Sequence, residues 1–172
     1  LLPLTSVFAK ELLPINGKPG IEYIIQECID AGIKQIIFII SKKKMMIKKY
    51  FYSDTFYTNI IKKKKDPKII EEYKKIQKYK KMIKIVYQNK PKGTGDAVLK
   101  TKKLIKDKYF LMLLPDDLIM KHNCSKSMIS THNKFKSSVM ASMKVQKKTV
   151  SRWGIYNLSK KVSKINCIIK EV

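Results

Sequence analysis

Tyr109-Phe110-Leu111-Met112-Leu113-Leu114-Pro115-Asp116-Asp117 decides how the rest of this chain is read. An uninterrupted apolar run that ends on proline and two carboxylates has the pattern of a parallel strand covered on both faces. Acidic residues at the carboxyl end of such a strand stand where open α/β sheets place their ligands. A second run of the same kind, Lys34–Ser41, follows a stretch with helical spacing. In that stretch Ile21, Ile24, Ile25, Cys28 and Ile29 share a face, and Gly32 supplies the stop. A shorter strand, Ile83–Tyr87, leads into Gln88–Gly95 and then an amphipathic helix reaching about Ile105. Between the second and third strands, Ile69, Ile70, Tyr73, Ile76 and Met82 fall near one side of a helix, leaving Lys74, Lys75, Lys78 and Lys81 mainly toward water. This order is that of an α/β sheet with crossover helices. Residues 1–19 read as an irregular lead-in broken by Pro3, Pro14 and Pro19. After residue 117, a weaker helix is expected at 125–135 and strands at 138–146, 152–158 and 165–170.

The length, 172 residues, predicts one domain, and 44% hydrophobic content is that of a globular chain. A chain of this size buries roughly 70% of the surface its unfolded form exposes and needs no covalent staple. The charge is unusual: 38 basic against 13 acidic residues give +25, and Arg152 is the only arginine among the basic set. No apolar stretch approaches the roughly 20 residues of a membrane span, and no signal-peptide pattern opens the chain. The first residue is Leu1, not methionine, so translation is expected to start elsewhere. Cys28, Cys124 and Cys167 are odd in number and widely spaced, against a disulfide framework or a zinc site. They read as buried thiols of a reducing cytoplasm. Residues 62–108 hold 18 lysines and five acids, enough for salt-sensitive attraction to any polyanion. Specific nucleic-acid recognition is not expected, because there is one arginine, no known nucleic-acid-binding motif, and the tract reads as a solvated helix face.

Three segments could carry chemistry. Two carboxylates at a strand edge, Asp116 and Asp117, repel one another, and a hard divalent cation shared with substrate phosphates would relieve both; an Asp pair capping a turn has the same appearance. In Gln88-Asn89-Lys90-Pro91-Lys92-Gly93-Thr94-Gly95-Asp96-Ala97, a strand, a glycine-containing loop and a helix start allow backbone amides to approach a nucleotide, while the Gln88 amide could read a base edge. A plain turn into a helix fits the same residues. It is neither a Walker loop nor a dinucleotide motif. In Ala9-Lys10-Glu11-Leu12-Leu13-Pro14 and Gly17-Lys18-Pro19, lysines beside turns could hold phosphates as point charges. His122 and His132 lack ligand spacing and read as surface or capping residues; Trp153 is expected to pack beside Gly154, and Met45, Met46 and Met112 to fill gaps in or near the core.

Taken together, these blocks resemble a known family. Leu2-Pro3-x-Thr5, Lys10-Glu11-Leu12-Leu13-Pro14-Ile15, Gly17-Lys18-Pro19, Ile21-x-Tyr23 and Glu27-x-x-x-Ala31-Gly32-Ile33 are similar to the opening of the bacterial UTP–glucose-1-phosphate uridylyltransferases. The likeness continues through Gln88-x-x-x-x-Gly93-x-Gly95-x-Ala97-Val98-Leu99, Leu113-Leu114-Pro115-Asp116-Asp117 and Trp153-Gly154-Ile155, and is weakest at 42–82 and 121–150. The resemblance implies a Rossmann-like α/β nucleotidyltransferase domain over residues 1–172, a three-layer sandwich on a mostly parallel mixed sheet. It implies a magnesium-dependent conversion of UTP and glucose 1-phosphate to UDP-glucose and pyrophosphate. Carried over, Lys10 would contact phosphates, Gln88 and the backbone at Gly93 would recognise uracil, Asp116 would bind the metal, and Gly154 would lie against the sugar.

The departures are as informative. In the family a strand and a Gly-x-Gly-Thr-Arg segment precede Leu-Pro-x-Thr, and a Glu-Lys-Pro segment with a second metal carboxylate follows, so the domain reads as truncated at both ends. Ala9 stands where proline is usual, Ser6 where lysine is, and Asp96 where a neutral residue or histidine is common. The preceding strand is central in the family's sheet; without it, unpaired backbone edges and exposed apolar faces are expected, and with them self-association into homo-oligomers. The 172-residue chain alone is expected to be inactive. A related sugar-1-phosphate nucleotidylyltransferase using dTTP, and a non-catalytic paralogue, remain open alternatives.

Overall fold

A computed structural model describes residues 3–162 and 166–171. They fall into two compact units, one ending at Val139 and the other beginning at Met140. Leu2 and the expected strand position Ile165 lie outside the described residues.

The first unit opens with two single turns of 3-10 helix, Leu4–Ser6 and Lys10–Leu12, followed by a minimal hairpin of β1 (Pro14–Ile15) and β2 (Lys18–Pro19). The reversal is Asn16-Gly17, both at positive φ (48° and 77°). That is the turn whose twist matches paired strands, and Asn-Gly is its usual sequence. The lead-in is therefore more ordered than its prolines imply, and the Asn-Gly signal was available in the sequence.

Helix α1 (Gly20–Asp30) follows with the expected face buried: Ile21, Ile24, Ile25 and Cys28. It stops as expected at Gly32, whose φ of +83° suits a residue without Cβ. The Gly32 N–H donates to the Ile29 carbonyl and the Ile33 N–H to that of Cys28, so the last carbonyls are satisfied by a Schellman closure. Strand β3 (Ile36–Ile40) emerges directly.

The lysine-rich stretch after β3 holds two helices that no expectation covered, α2 (Met45–Tyr52) and α3 (Asp54–Lys64), before α4 (Pro67–Met82). α4 starts by rule: the Asp66 carboxylate accepts the Lys68 N–H at 2.8 Å and Pro67 occupies the first turn. Ile76 and Tyr79 are buried with Ile47 and Phe51 of α2. Lys74, Lys78 and Lys81 face water as expected, whereas Lys75 does not. Its ammonium reaches Glu22 at 2.5 Å, and the same buried carboxylate accepts the Tyr50 hydroxyl.

Strand β4 (Ile83–Tyr87) lies parallel to β3, in register from Ile36 opposite Ile83 to Ile40 opposite Tyr87. Phe51 is fully buried beneath this pair and meets the Phe38 ring at 5.6 Å between centroids. Helix α5 (Gly93–Lys100) ends earlier than expected, at Thr101. The buried Thr101 hydroxyl donates to the Val98 carbonyl and the chain turns there. Helix α6 (Cys124–Phe135) matches its expected span, capped by Asn123 and tied to α1 by Ser125, whose N–H and hydroxyl both donate to the Glu27 carboxylate.

Several expectations are corrected. The apolar run 109–114 has no regular secondary structure and belongs to no ladder among the described residues, and β3 is paired along one edge, with β4. Tyr109, Phe110, Met112 and Leu114 are accordingly about half exposed, so Met112 is not a core residue. The span 138–146 is irregular, and in the second unit the strands are β5 (Asn157–Lys161) and β6 (Cys167–Glu171), paired antiparallel with an irregular register. Trp153 is half exposed and Cys167 is exposed, so neither is packed as expected. All three cysteines are free, and burial pushes the Cys28 thiol up to about 11. Among the described residues no helix is long and apolar enough to cross a membrane. The α/β class is as expected, with the parallel β3–β4 pair representing the sheet in the first unit.

Replacing fully buried Phe51 by alanine is expected to cost about 3–5 kcal/mol. Leu99→Ala, at a side chain 65% exposed, is expected to stay within about 0.5 kcal/mol. Urea unfolding of the two variants measures both; equal losses would mean that the core lies elsewhere.

Candidate functional site

A cleft of about 1490 Å³ in the first unit is lined by β3 and the apolar run 109–115. Ile36–Ile40 and Tyr109–Pro115 wall it, with Gln88, Thr94 and Val98 on the side of α5 and Glu11 and Lys44 at one end. Its walls are mostly hydrocarbon, and the polar groups enter from chain turns, the usual make-up of a ligand cleft.

The 3-10 turn Lys10–Leu12 sends consecutive side chains in opposite directions. Glu11 is buried, and the Lys10 side chain keeps 38% of its surface exposed. The Lys10 ammonium donates to Asp116 Oδ2 at 2.6 Å, across 106 residues of sequence. Pro115 and Asp116 form a turn closed by the Asp117 N–H on the Leu114 carbonyl at 3.1 Å. The turn that an Asp pair can mark is present, and it carries an ion pair. The hydrogen bond from Lys10 holds the Asp116 carboxyl below its ordinary range, with the Lys44 ammonium adding to the effect and partial burial opposing it. The same bond pushes the Lys10 ammonium up.

Glu11 and Lys44 take part in this cluster although the sequence reading gave neither a role. Lys44 pairs with Glu11 Oε1, and Glu11 Oε2 is buried with no partner among the described residues. Lys44 is one lysine of a run of three, so nothing in its sequence context marks it.

At the end of β4 the Gln88 N–H donates to the Ile40 carbonyl at 3.0 Å, carrying the pairing one residue past the strand. The Gln88 side-chain amide then folds over its own loop. Its Nε2 donates to the Gly93 carbonyl at 3.1 Å and to Asp96 Oδ2 at 2.8 Å. Gly93 has φ +87°, which any L side chain would strain, so the loop needs glycine there to turn into α5. The structure thus brings together Lys10 with Asp116, and Gln88 with Gly93. Gly154 belongs to the second unit. His122 is exposed, and His132 Nδ1 lies 2.8 Å from the Ser137 carbonyl at the end of α6, a capping place as expected. Among the described residues no three His, Cys, Asp or Glu side chains gather as a metal cage.

The ion pair has a pH signature. Asp116 is depressed, so its contribution is present at neutral pH and lost as pH falls through its lowered value. Lys10 is raised, so its contribution is lost only as pH rises through its own. With both side chains more than a third exposed, the pair is worth less than about 1 kcal/mol. Lys10→Met is expected to move the Asp116 carboxyl upward in a carbon-detected NMR titration, with almost no change in urea midpoint. An unmoved Asp116 would show that the pair does not form in solution.

The chain as a whole is similar to known proteins. A model of the nucleotidyl transferase family matches residues 1–166. The UTP–glucose-1-phosphate uridylyltransferase of Bacillus subtilis is 35% identical over 90% of this chain and 53% of its own length. That of Streptococcus pyogenes is 33% identical over 90% and 52%. The UTP-bound UGPase from Acinetobacter baumannii superposes with a TM-score of 0.80 at 27% identity, covering 94% of this chain and 58% of that one. A UDP-glucose pyrophosphorylase complexed with UDP-glucose gives 0.78 at 28%, covering 99% and 62%. This chain therefore spans between 52% and 62% of the length of these relatives. With nearly every residue inside the match, the chain belongs to the nucleotidyl transferase family.

Proposed function

We propose that this chain is the nucleotide-binding and catalytic part of a UTP–glucose-1-phosphate uridylyltransferase, which joins UTP and glucose 1-phosphate into UDP-glucose and releases pyrophosphate. The observation that carries the reading is the Lys10–Asp116 pair at 2.6 Å, which joins the chain neighbours of Glu11 and Pro115, two residues that line the cleft together with Gln88. The names of the relatives, and the UTP and UDP-glucose in the titles of two of the solved structures, support the substrate choice.

In this reading an oxygen of the sugar phosphate attacks the α-phosphorus of UTP in line, and pyrophosphate leaves with the bonding electrons. No covalent enzyme intermediate is needed. Lys10 neutralises charge as it grows on the transferred phosphoryl group, and the cleft holds the reactants in line. Gln88 and the backbone at Gly93 hold the uracil, and Gly154 lies against the sugar. A divalent metal is general to nucleotidyltransferases, and magnesium suits the oxygens of Asp116, with Asp117 beside it. Such an ion takes one or two carboxylates and completes its shell from phosphates and water, so a three-ligand protein cage is not required. When bound, magnesium would supply charge neutralisation at the phosphates. The free cysteines suit a reducing cytoplasm, and the exposed Tyr109, Phe110, Met112 and Leu114 favour self-association as a homo-oligomer. The many lysines of α3 and α4 are read as a solvated surface, without a specific nucleic-acid partner.

Pyrophosphate release by the full-length protein from UTP and glucose 1-phosphate tests this. Lys10→Ala and Asp116→Ala are each expected to lower kcat about 10²–10³-fold while leaving the circular-dichroism spectrum intact. Turnover with dTTP in place of UTP would redirect the assignment to a related sugar nucleotidylyltransferase. No release with any pairing would overturn it.

A further inference from the structure

The Gln88 amide has a defined orientation, and the residue that defines it is Asp96. Side-chain amides can ordinarily be turned over, exchanging donor for acceptor at little cost. Here Nε2 has two partners, the Gly93 carbonyl at 3.1 Å and Asp96 Oδ2 at 2.8 Å. Both can only accept, since an ionised carboxylate has no hydrogen to give. The Lys100 ammonium lies 3.8 Å from Asp96 Oδ1, one helical turn on. Turning the amide over would set Oε1 against two acceptors. Nε2 is therefore committed, and Oε1 makes no hydrogen bond among the described residues, on a side chain that lines the cleft.

We infer that Asp96 is a positioning residue for base selection: by holding Gln88 Nε2 it leaves Oε1 as a fixed acceptor, which chooses a pyrimidine with a ring N–H, uracil or thymine, over cytosine. The ring N3 of uracil or thymine carries a hydrogen and donates to Oε1; that of cytosine is an acceptor and would face Oε1 lone pair to lone pair. The inference rests on the nucleotide reading above and adds to it the residue that orients the reader. Asp96 does not touch the base in this account. It acts through Gln88.

Calorimetric titration of the full chain with UTP, CTP and N3-methyl-UTP tests the assignment. The unmodified protein is expected to bind UTP at least about tenfold more tightly than CTP or N3-methyl-UTP, the effect of one hydrogen bond replaced by an opposed acceptor. In Asp96→Asn, residue 96 can donate as well as accept, so only the longer bond to the Gly93 carbonyl still opposes a turn of the Gln88 amide. The UTP-to-CTP ratio is then expected to fall to about threefold or less, while the thermal midpoint stays put. A merely structural role would lower both affinities together and leave the ratio unchanged. UTP binding with a ratio that persists in Asp96→Asn overturns the role of Asp96 alone. N3-methyl-UTP bound as tightly as UTP overturns the use of Oε1. Absence of UTP binding to the unmodified chain overturns the nucleotide reading and this inference with it.

Discussion

The parallel pairing of β3 with β4 is the constraint on which the rest of the first unit depends. Parallel strands cannot be joined by a tight turn, so the chain must cross over before it returns. Here the crossover is α2, α3 and α4, and it buries Ile47, Phe51, Ile76 and Tyr79 against the strand pair. Register follows from the same burial, because a slip of one residue would exchange the two faces of β4. Since both strands run the same way, both release their chains at one end, Ser41 into the Lys42–Lys44 turn and Gln88 into its loop. The pairing therefore delivers Lys44 and Gln88 to the cleft.

Lys10 reaches the same region from another direction. Its 3-10 turn is too short to be stable by itself, and it is held by what its neighbours bury. The Ala9 N–H meets the Met46 sulfur at 3.1 Å, and Glu11 is fixed by Lys44. With Glu11 turned inward, Lys10 must turn outward, toward Asp116. The alternation of a buried acid and an exposed base within one turn converts a weak local structure into a defined direction for an ammonium. An exposed ion pair of this kind adds little to stability, so its value is geometric.

Legibility in the sequence followed the strength of the local signal. α1 was readable to its stop because an apolar face and a terminal glycine agree, and α4 through its Ile69–Met82 stripe. The helices α2 and α3 were hidden by composition: in a lysine-rich tract the polar face no longer marks a period. The run 109–114 read as a strand because its side chains are those of one, yet strand structure needs a partner's backbone as well as its own residues. At the candidate site, Lys10, Gln88, Gly93 and Asp116 were singled out through the family resemblance that several blocks carry together. Lys44 and the anchoring of Lys75 on Glu22 were not, because each is a tertiary meeting of residues that look ordinary in line.

That difference reverses the usual weight given to charge in this protein. With 38 bases and 13 acids, a lysine at any position says little, since one is nearly always near. The acids are the scarce species, and a cation-rich surface gives every exposed carboxylate a choice of partners. A carboxylate held by one particular neighbour has been placed there by the fold. Glu22 sits beneath Tyr50 and Lys75, Glu11 against Lys44, Asp116 on Lys10, and Asp96 on the Gln88 amide. The first of these binds helix to helix, and the other three lie at or beside the cleft. In a chain this basic, Glu11, Asp96 and Asp116 mark the candidate site more sharply than any lysine read in line.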